Sequence, residues 1–269
     1  MHCTGYNSTA IQIDKLHTLK TYFNWSSGKD SALALYYLLR DKNYSVEHLL
    51  TSINSFHNRV SMHGLRRELL LQQVRSLGIA NSTIELPEQP SMEEYEAVMS
   101  EAVMKLQRKG FKYAGFGDIF LEDLKRYREE QLGKINIRAV FPVWKRDTKE
   151  LLNEFIDLGF KAIVVCINAE LLESSFAGRI IDKNFINDLP KAVDPCGENG
   201  EFHTFCFDGP IFENPVPFIV GEKVYREYKA PEKESVKNEM EEAKKKMGFW
   251  FCDLLPVEQT IFSDSRFAF

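Results

Sequence analysis

Short apolar runs alternate with longer stretches of helical period over the first two thirds of the chain. Residues 20–25, 46–53, 82–86, 113–116, 138–141 and 162–167 read as strands: short, rich in β-branched or aromatic side chains, and bounded by polar or turn-forming residues. Between them, residues 30–40, 62–77, 91–106, 122–132 and 148–158 carry apolar side chains at helical spacing. The first of these helices is apolar nearly all round over 32–39, which predicts a helix buried inside the protein. In the second, Leu65, Leu69 and Leu77 fall on one stripe. The third opens with a capping box, Ser91 followed by Glu94, and Met92, Tyr95, Val98, Met99, Ala102 and Leu106 mark its inward face. Pro87 ends the third strand and Gly159 stops the last helix. This alternation predicts an α/β protein with a Rossmann-like parallel sheet covered on both faces.

Beyond residue 169 the alternation weakens. Residues 189–217 are rich in Gly, Pro, Asn and acids, and read as an ordered functional loop with short strands, because so long a stretch is unusual unless it serves a site. Residues 230–247 are highly charged and read as a solvated helix or loose arm.

Composition narrows the class. At 44% hydrophobic and 27% charged, the 269 residues suit a soluble globular protein. The longest apolar runs are too short to span a bilayer, and the first twenty or so residues lack a secretory pattern, so a cytoplasmic protein with no membrane partner is expected. The five cysteines are odd in number and include no CxxC pair, which favours inert thiols over a disulfide framework. A net charge of −5 argues against a nucleic-acid partner. Homo-oligomerisation is left open.

Two segments concentrate the chemistry. Ser26, Ser27, Gly28, Lys29, Asp30 and Ser31 follow the first strand and open the first helix. Free backbone N–H groups and the helix dipole favour a phosphate at such a junction. The hydroxyls of Ser26 and Ser31 can donate to phosphate oxygens. Gly28 allows close backbone approach, Lys29 can neutralise charge, and Asp30 can hold Mg²⁺ directly or through water. The spacing is not that of a Walker loop. The residues resemble instead the SGGxDS signature of the PP-loop, adenine-nucleotide α-hydrolase family, whose members grip pyrophosphate and form acyl-adenylates. Ser27 stands where that signature has its first glycine, and is strained if the position needs positive φ.

The second segment, residues 194–205, holds Glu198, Glu201 and His203 in a Gly-rich stretch. Either carboxylate could bind Mg²⁺ or a cationic group or act as a base, and His203 could move a proton near neutral pH. Zinc on Cys196, Cys206 and His203 lacks an evident fourth ligand. Gly-Glu-Asn-Gly-Glu-Phe-His-Thr at 197–204, with Asp208, Gly209 and Pro210, resembles the C-terminal signature of the diphthine–ammonia ligase family. Further agreement comes from Gly117, Asp118 and Ile119, from Asp123, Arg126, Arg128 and Glu130, and from Pro142, Val143 and Trp144 with Arg146 and Asp147. Gly178, Arg179, Ile181, Asp182 and Phe185 also fit; Leu124 and Lys125 replace the family's usual Tyr and Gln.

The resemblance implies a HUP/PP-loop-type domain over 19–140, after an extension at 1–18. A smaller C-terminal substrate-side region at 141–228 and a charged arm at 229–269 would follow. It implies ATP and Mg²⁺ as cofactors, with Gly117, Asp118, Arg126 and Arg128 beside the nucleotide and the adenine near Ile53 and Asn54. It also implies ammonia and a carboxylate acceptor, either a modified histidine on an elongation factor or a small molecule. Lys29, Asp30, Glu198, Glu201 and His203 are the expected catalytic set.

Two alternatives stand beside this reading: a PP-loop enzyme modifying RNA, and a sensor that holds adenine nucleotide without turnover. Arg59, His63, Arg66 and Arg67 follow the second strand near the sheet's carboxyl edge, and His57 and His63 are further candidates for ligand contact. Trp25 and Trp144 read as core residues.

Overall fold

The computed structural model describes residues 18–229 and 246–257. The expected N-terminal extension and the charged run 230–245 therefore fall almost wholly outside the described residues.

A first, six-stranded sheet is built from β1 (Leu19–Asn24), β2 (Tyr44–Asn54), β3 (Arg59–Val60), β4 (Ala80–Leu86), β5 (Tyr113–Gly115) and β6 (Arg138–Val140). β1 is central. It pairs in parallel with β2 and β5, β2 pairs in parallel with β4, and β5 with β6, while β3 lies antiparallel along the end of β2. Alternation along the strands divides two cores, as a period of two requires. Phe23 and Leu49 face one, with α1 (Lys29–Arg40), α2 (Arg67–Leu77) and α5 (Thr148–Asp157). Tyr22 and Leu50 face the other, with α3 (Met92–Arg108) and α4 (Glu122–Gly133). The capping box of α3 forms: Ser91 Oγ accepts from Glu94 N at 3.2 Å and Glu94 Oε2 from Ser91 N at 2.8 Å.

A second, antiparallel sheet has the order β8–β7–β10–β9, from β7 (Lys161–Asn168), β8 (Phe202–Asp208), β9 (Phe218–Lys229) and β10 (Lys246–Pro256). A short helix, α6 (Lys183–Asp188), precedes the loop into β8. The all-round apolar α1 is explained by this layer: it contacts β5 of one sheet and β8 of the other.

Three expectations are corrected. Residues 162–167 belong to the antiparallel sheet and not to the parallel one; a strand buried on both faces reads alike in either setting. Residues 246–256, placed in a charged arm, form an interior strand between β7 and β9, so a boundary at 229 divides one hairpin sheet. The neighbouring charged run masked the pattern of Phe249, Phe251 and Cys252. Finally, the second helix starts at Arg67 and not at 62. Residues 61–66 instead make a turn with Met62 and Gly64 at φ 64° and 66°, a conformation that ends helical continuity.

Candidate active site

The phosphate-loop residues form a closely tied turn between β1 and α1. Gly28 is the extended N-cap of α1 and receives no side-chain cap from its own residue. Ser26 and Ser31 hydroxyls meet at 2.7 Å, and Ser31 Oγ also accepts from Ser26 N at 3.2 Å. Ser27 carries φ 70°, the left-handed conformation, which costs a non-glycine residue about 1–2 kcal/mol. The turn is held there from outside. Ser27 O accepts from Gln73 Nε2 at 3.0 Å and from Cys206 N at 2.9 Å, and its hydroxyl donates to Ser26 O.

The glycines serve packing against protein groups. A Cβ on Gly28 would lie 2.7 Å from His63 Cε1 and 3.3 Å from Thr204 O. A Cβ on Gly117 would lie 2.9 Å from Ser31 N, so the segment after β5 rests on the first turn of α1. Lys29 departs from expectation. It is 2% exposed, and its ammonium turns inward to the Asp30 carboxylate (3.0 and 2.8 Å) and the Cys196 carbonyl, 5.1 Å from the Phe202 ring centre. Burial works against its charge, but Asp30 and the surrounding acids hold its pKa above the ordinary value. Asp30 keeps 30% of its side chain exposed.

β8 and the loop before it reach this turn directly. Lys29 N donates to Thr204 Oγ1 at 3.0 Å, and Glu198 Oε1 accepts from Ile119 N at 2.7 Å. Glu198 thus bridges to the segment after β5. Burial raises its pKa to about 7, with Asp30 and Asp118 adding to the rise and the Ile119 N–H and Lys29 opposing it. Glu201 is different: 2% exposed, it accepts from Asp194 N (3.0 Å), Asn199 N (2.9 Å) and Asn199 Nδ2 (3.1 Å). Its carboxylate is held by donors of its own loop. Asp194 does the same work, accepting from Cys196 N, Glu198 N and Thr148 Oγ1.

His203 and His63 lie against each other beside the loop, ring centres 4.8 Å apart and planes tilted by 35°. Burial lowers His203 to about 3, helped by His63 and Lys29, and lowers His63 to about 4. Both are neutral at pH 7.

The arginines separate. Arg128 pairs with Asp118 at 2.8 Å and covers the Phe116 ring, at the carboxyl end of β5. Arg126 points to solvent, 69% exposed and paired with Asp123, away from the loop. Residues two apart on a helix cannot share a face. Ile53 and Asn54 pair with Val60 and Arg59 on one edge and with Glu85 and Leu86 on the other, leaving little open backbone edge for an adenine. His57 and Arg67 engage Glu88 and Glu85. Arg59 and Arg66 both bond Asp253 of β10 (2.8 and 2.6 Å).

Two residues escaped the sequence reading. Gln73 receives Trp25 Nε1 at 2.8 Å and donates to Ser27 O and to Cys206 O (2.6 Å). The signal was present: 73 is the missing member of the Leu65, Leu69, Leu77 stripe. Thr204 lay inside the recognised segment without a signal of its own.

Cys196 and Cys206 send their sulfurs to Thr148 O and Asp208 O. Among the described residues no three His, Cys, Asp or Glu side chains gather as a metal site. The Asp30 carboxylate, 30% exposed at the 26–31 turn, is of the kind that holds Mg²⁺, which takes one or two carboxylates with substrate phosphates. No helix among the described residues is long and apolar enough to cross a membrane.

Comparison with known proteins agrees with this layout. The diphthamide synthase N-terminal domain matches residues 19–138 and the diphthamide synthase C-terminal domain residues 147–234. Bovine diphthine–ammonia ligase is 31% identical over 102 residues, covering 36% of this chain and 38% of that protein; the human protein is 30% identical over the same length and shares. The aligned stretch thus spans well under half of these relatives. Among solved structures, a U34-tRNA thiolase from Methanococcus maripaludis with its [4Fe-4S] cluster overlaps 55% of this chain and 60% of its own, at TM-score 0.34 and 15% identity, too distant to bear on function. The two domain matches lie in order over most of the described chain and contain both the phosphate loop and the Glu198 loop, so the chain belongs to the diphthamide synthase family.

Proposed function

We propose that the chain is an AMP-forming, ATP-dependent amide ligase. A carboxylate acceptor attacks the α-phosphorus, pyrophosphate leaves, and ammonia displaces AMP from the acyl-adenylate. The observation that carries this reading is the direct bonding of the 26–31 turn to β8 and the loop before it: Thr204 Oγ1 accepts from Lys29 N, Ser27 O accepts from Cys206 N, and the Cys196 carbonyl accepts from the Lys29 ammonium. An enzyme that adenylates and then transfers must hold acceptor and triphosphate within reaction distance, about 3–3.5 Å between reacting atoms.

In this assignment the start of α1 with the Ser26 and Ser31 hydroxyls receives the phosphates, and Asp30 holds Mg²⁺, which would offset phosphate charge. Lys29 fixes Asp30 from behind. Glu198, ionising near neutral pH, takes a proton from the attacking nitrogen as the amide forms. The acceptor is diphthine or a related carboxylate, following the names of the curated relatives. A cytoplasmic setting fits such an acceptor.

The test is chromatography of the nucleotides formed with ATP, Mg²⁺, ammonium and cell extract as acceptor source. AMP with pyrophosphate is expected; ADP with phosphate would exclude the reading.

A further inference from the structure

The turn at 61–66 brings a second histidine to the phosphate loop, and its bonding fixes its chemistry. His63 Nδ1 lies 2.9 Å from Thr204 O. A carbonyl oxygen only accepts, so Nδ1 carries the hydrogen, and a neutral ring then leaves Nε2 as a bare lone pair. Neither Nε2 of His63 nor either ring nitrogen of His203 has a hydrogen-bond partner among the described residues. Both residues are only partly buried, and their ring nitrogens are not among the sealed side-chain atoms that lack a partner.

The turn is positioned with care. Arg59 Nη1 donates to Gly64 O at 2.7 Å and to Asp253 Oδ1 at 2.8 Å, and Arg66 grips both oxygens of Asp253 at 3.1 and 2.6 Å. Gly64 abuts Phe251, whose ring would meet a Cβ there at 2.9 Å. His63 Cε1 then sits against Gly28, at the mouth of α1.

A lone-pair acceptor beside a phosphate loop does not bind phosphate oxygens, which are themselves acceptors. It binds N–H or O–H donors. The groups facing it agree: Lys29 disfavours a protonated ring, and burial does likewise. We propose that His63 Nε2, with the His203 ring tilted against it, forms the subsite for the nitrogen nucleophile: it takes a hydrogen bond from ammonia or the free base of a small primary amine, which ammonium supplies by losing a proton to water, and so aims that nitrogen's lone pair at the acyl-adenylate. The proposal rests on the ligase reading for its role, but the binding step can be measured without turnover.

The test uses the full chain with ¹⁵N-labelled histidine, loaded with inorganic pyrophosphate, near neutral pH. Long-range ¹H–¹⁵N spectra should show His63 protonated at Nδ1 and bare at Nε2, with the Nε2 resonance moving saturably on addition of ammonium chloride and not of sodium chloride. His63→Asn retains a donor for Thr204 O and, being shorter, places no acceptor where Nε2 stands. It should bind ATP with unchanged affinity in calorimetry yet require about three- to tenfold more ammonium for AMP formation, the loss of one neutral hydrogen bond. A protonated Nε2, or an Nε2 resonance indifferent to ammonium, would overturn the subsite even if AMP is formed. ADP as product, with the ammonium response intact, would instead remove the ligase reading and leave the binding site standing.

Discussion

Glu198 Oε1 accepts the backbone N–H of Ile119 at 2.7 Å, across 79 positions of sequence. This bond ties the loop before β8 to the segment after β5, and leaves the second carboxylate oxygen without a protein donor among the described residues. Glu201, three residues on, is enclosed by N–H donors from its own loop. Two glutamates of one motif therefore sit in different bonding environments. Glu198→Gln should lower turnover by about 10²- to 10⁴-fold, the usual worth of a general base, with fold stability unchanged below pH 4.5 and raised at neutral pH. Glu201→Gln should instead lower stability by about 1–3 kcal/mol, since its amide cannot accept all three donors. Thermal unfolding and turnover on the same two proteins check this.

The pH dependence follows with defined signs. Glu198, facing Asp30, Asp118 and Lys29, has its pKa raised from an ordinary 4.5 to about 7. Its favourable contribution is complete below pH 4.5 and is lost as pH rises through about 7, while activity that needs the ionised form rises over the same upper limb. His63 and His203, lowered from 6.5 to about 4 and about 3, act the other way. Their contribution is present above pH 6.5 and is lost as the medium is acidified toward those values. Glu198→Gln should abolish the activity limb near pH 7 and remove the decline in stability between pH 4.5 and 7. A limb that survives in the variant would assign it to another group.

Ser27 at φ 70° offers a test of strain. Ser27→Gly relieves the left-handed penalty but loses the hydroxyl contact to Ser26 O, so it should be neutral or stabilising by up to about 1 kcal/mol and keep activity. Ser27→Val, β-branched in the same conformation, should destabilise by about 1–3 kcal/mol. Denaturant unfolding of the pair decides whether the position demands glycine-like freedom.

Gln73 holds the back of the same turn. Gln73→Leu keeps the volume but orphans Trp25 Nε1 and removes one of two donors to Ser27 O. A loss of about 2–3 kcal/mol is expected, with weaker ATP binding by calorimetry. Unchanged affinity would show that the turn is shaped by Cys206 N alone.

Asp253 couples the last described strand to the turn bearing His63. Burial opposes its ionisation, but Arg66 and Arg59 hold its pKa below the ordinary 3.8, so its contribution is present above that pH and is lost on acidification. Asp253→Asn should cost about 1–3 kcal/mol at neutral pH and weaken ammonium use more than ATP binding. Equal loss of both would make Asp253 a general structural tie.

How far these relations were legible depended on range. Local signals spoke clearly: the Ser91–Glu94 capping box formed, and residues 26–31 fell at a strand–helix junction as their pattern required. Long-range partnering did not. Nothing in the residues distinguished Glu198 from Glu201, because burial and donor geometry decide their roles. That the Cys196 carbonyl joins Asp30 in engaging the Lys29 ammonium depends on packing across 167 positions, which the local pattern does not carry. β10 was hidden behind a charged run, and with it Asp253, whose partners lie 187 and 194 positions away. Gln73 was readable as a polar residue in an apolar stripe, a pattern that signals a buried polar duty.

The central claim is that the phosphate-loop turn and the Glu198 loop are one adenylating centre. Exchange of labelled pyrophosphate into ATP measures it most directly. With acceptor and Mg²⁺ present, exchange should occur without ammonium, fall sharply in Asp30→Asn, and persist in Glu198→Gln, whose defect lies in the later nitrogen step. Absence of exchange in the unaltered protein while ATP is still consumed would contradict an acyl-adenylate and the account built on it.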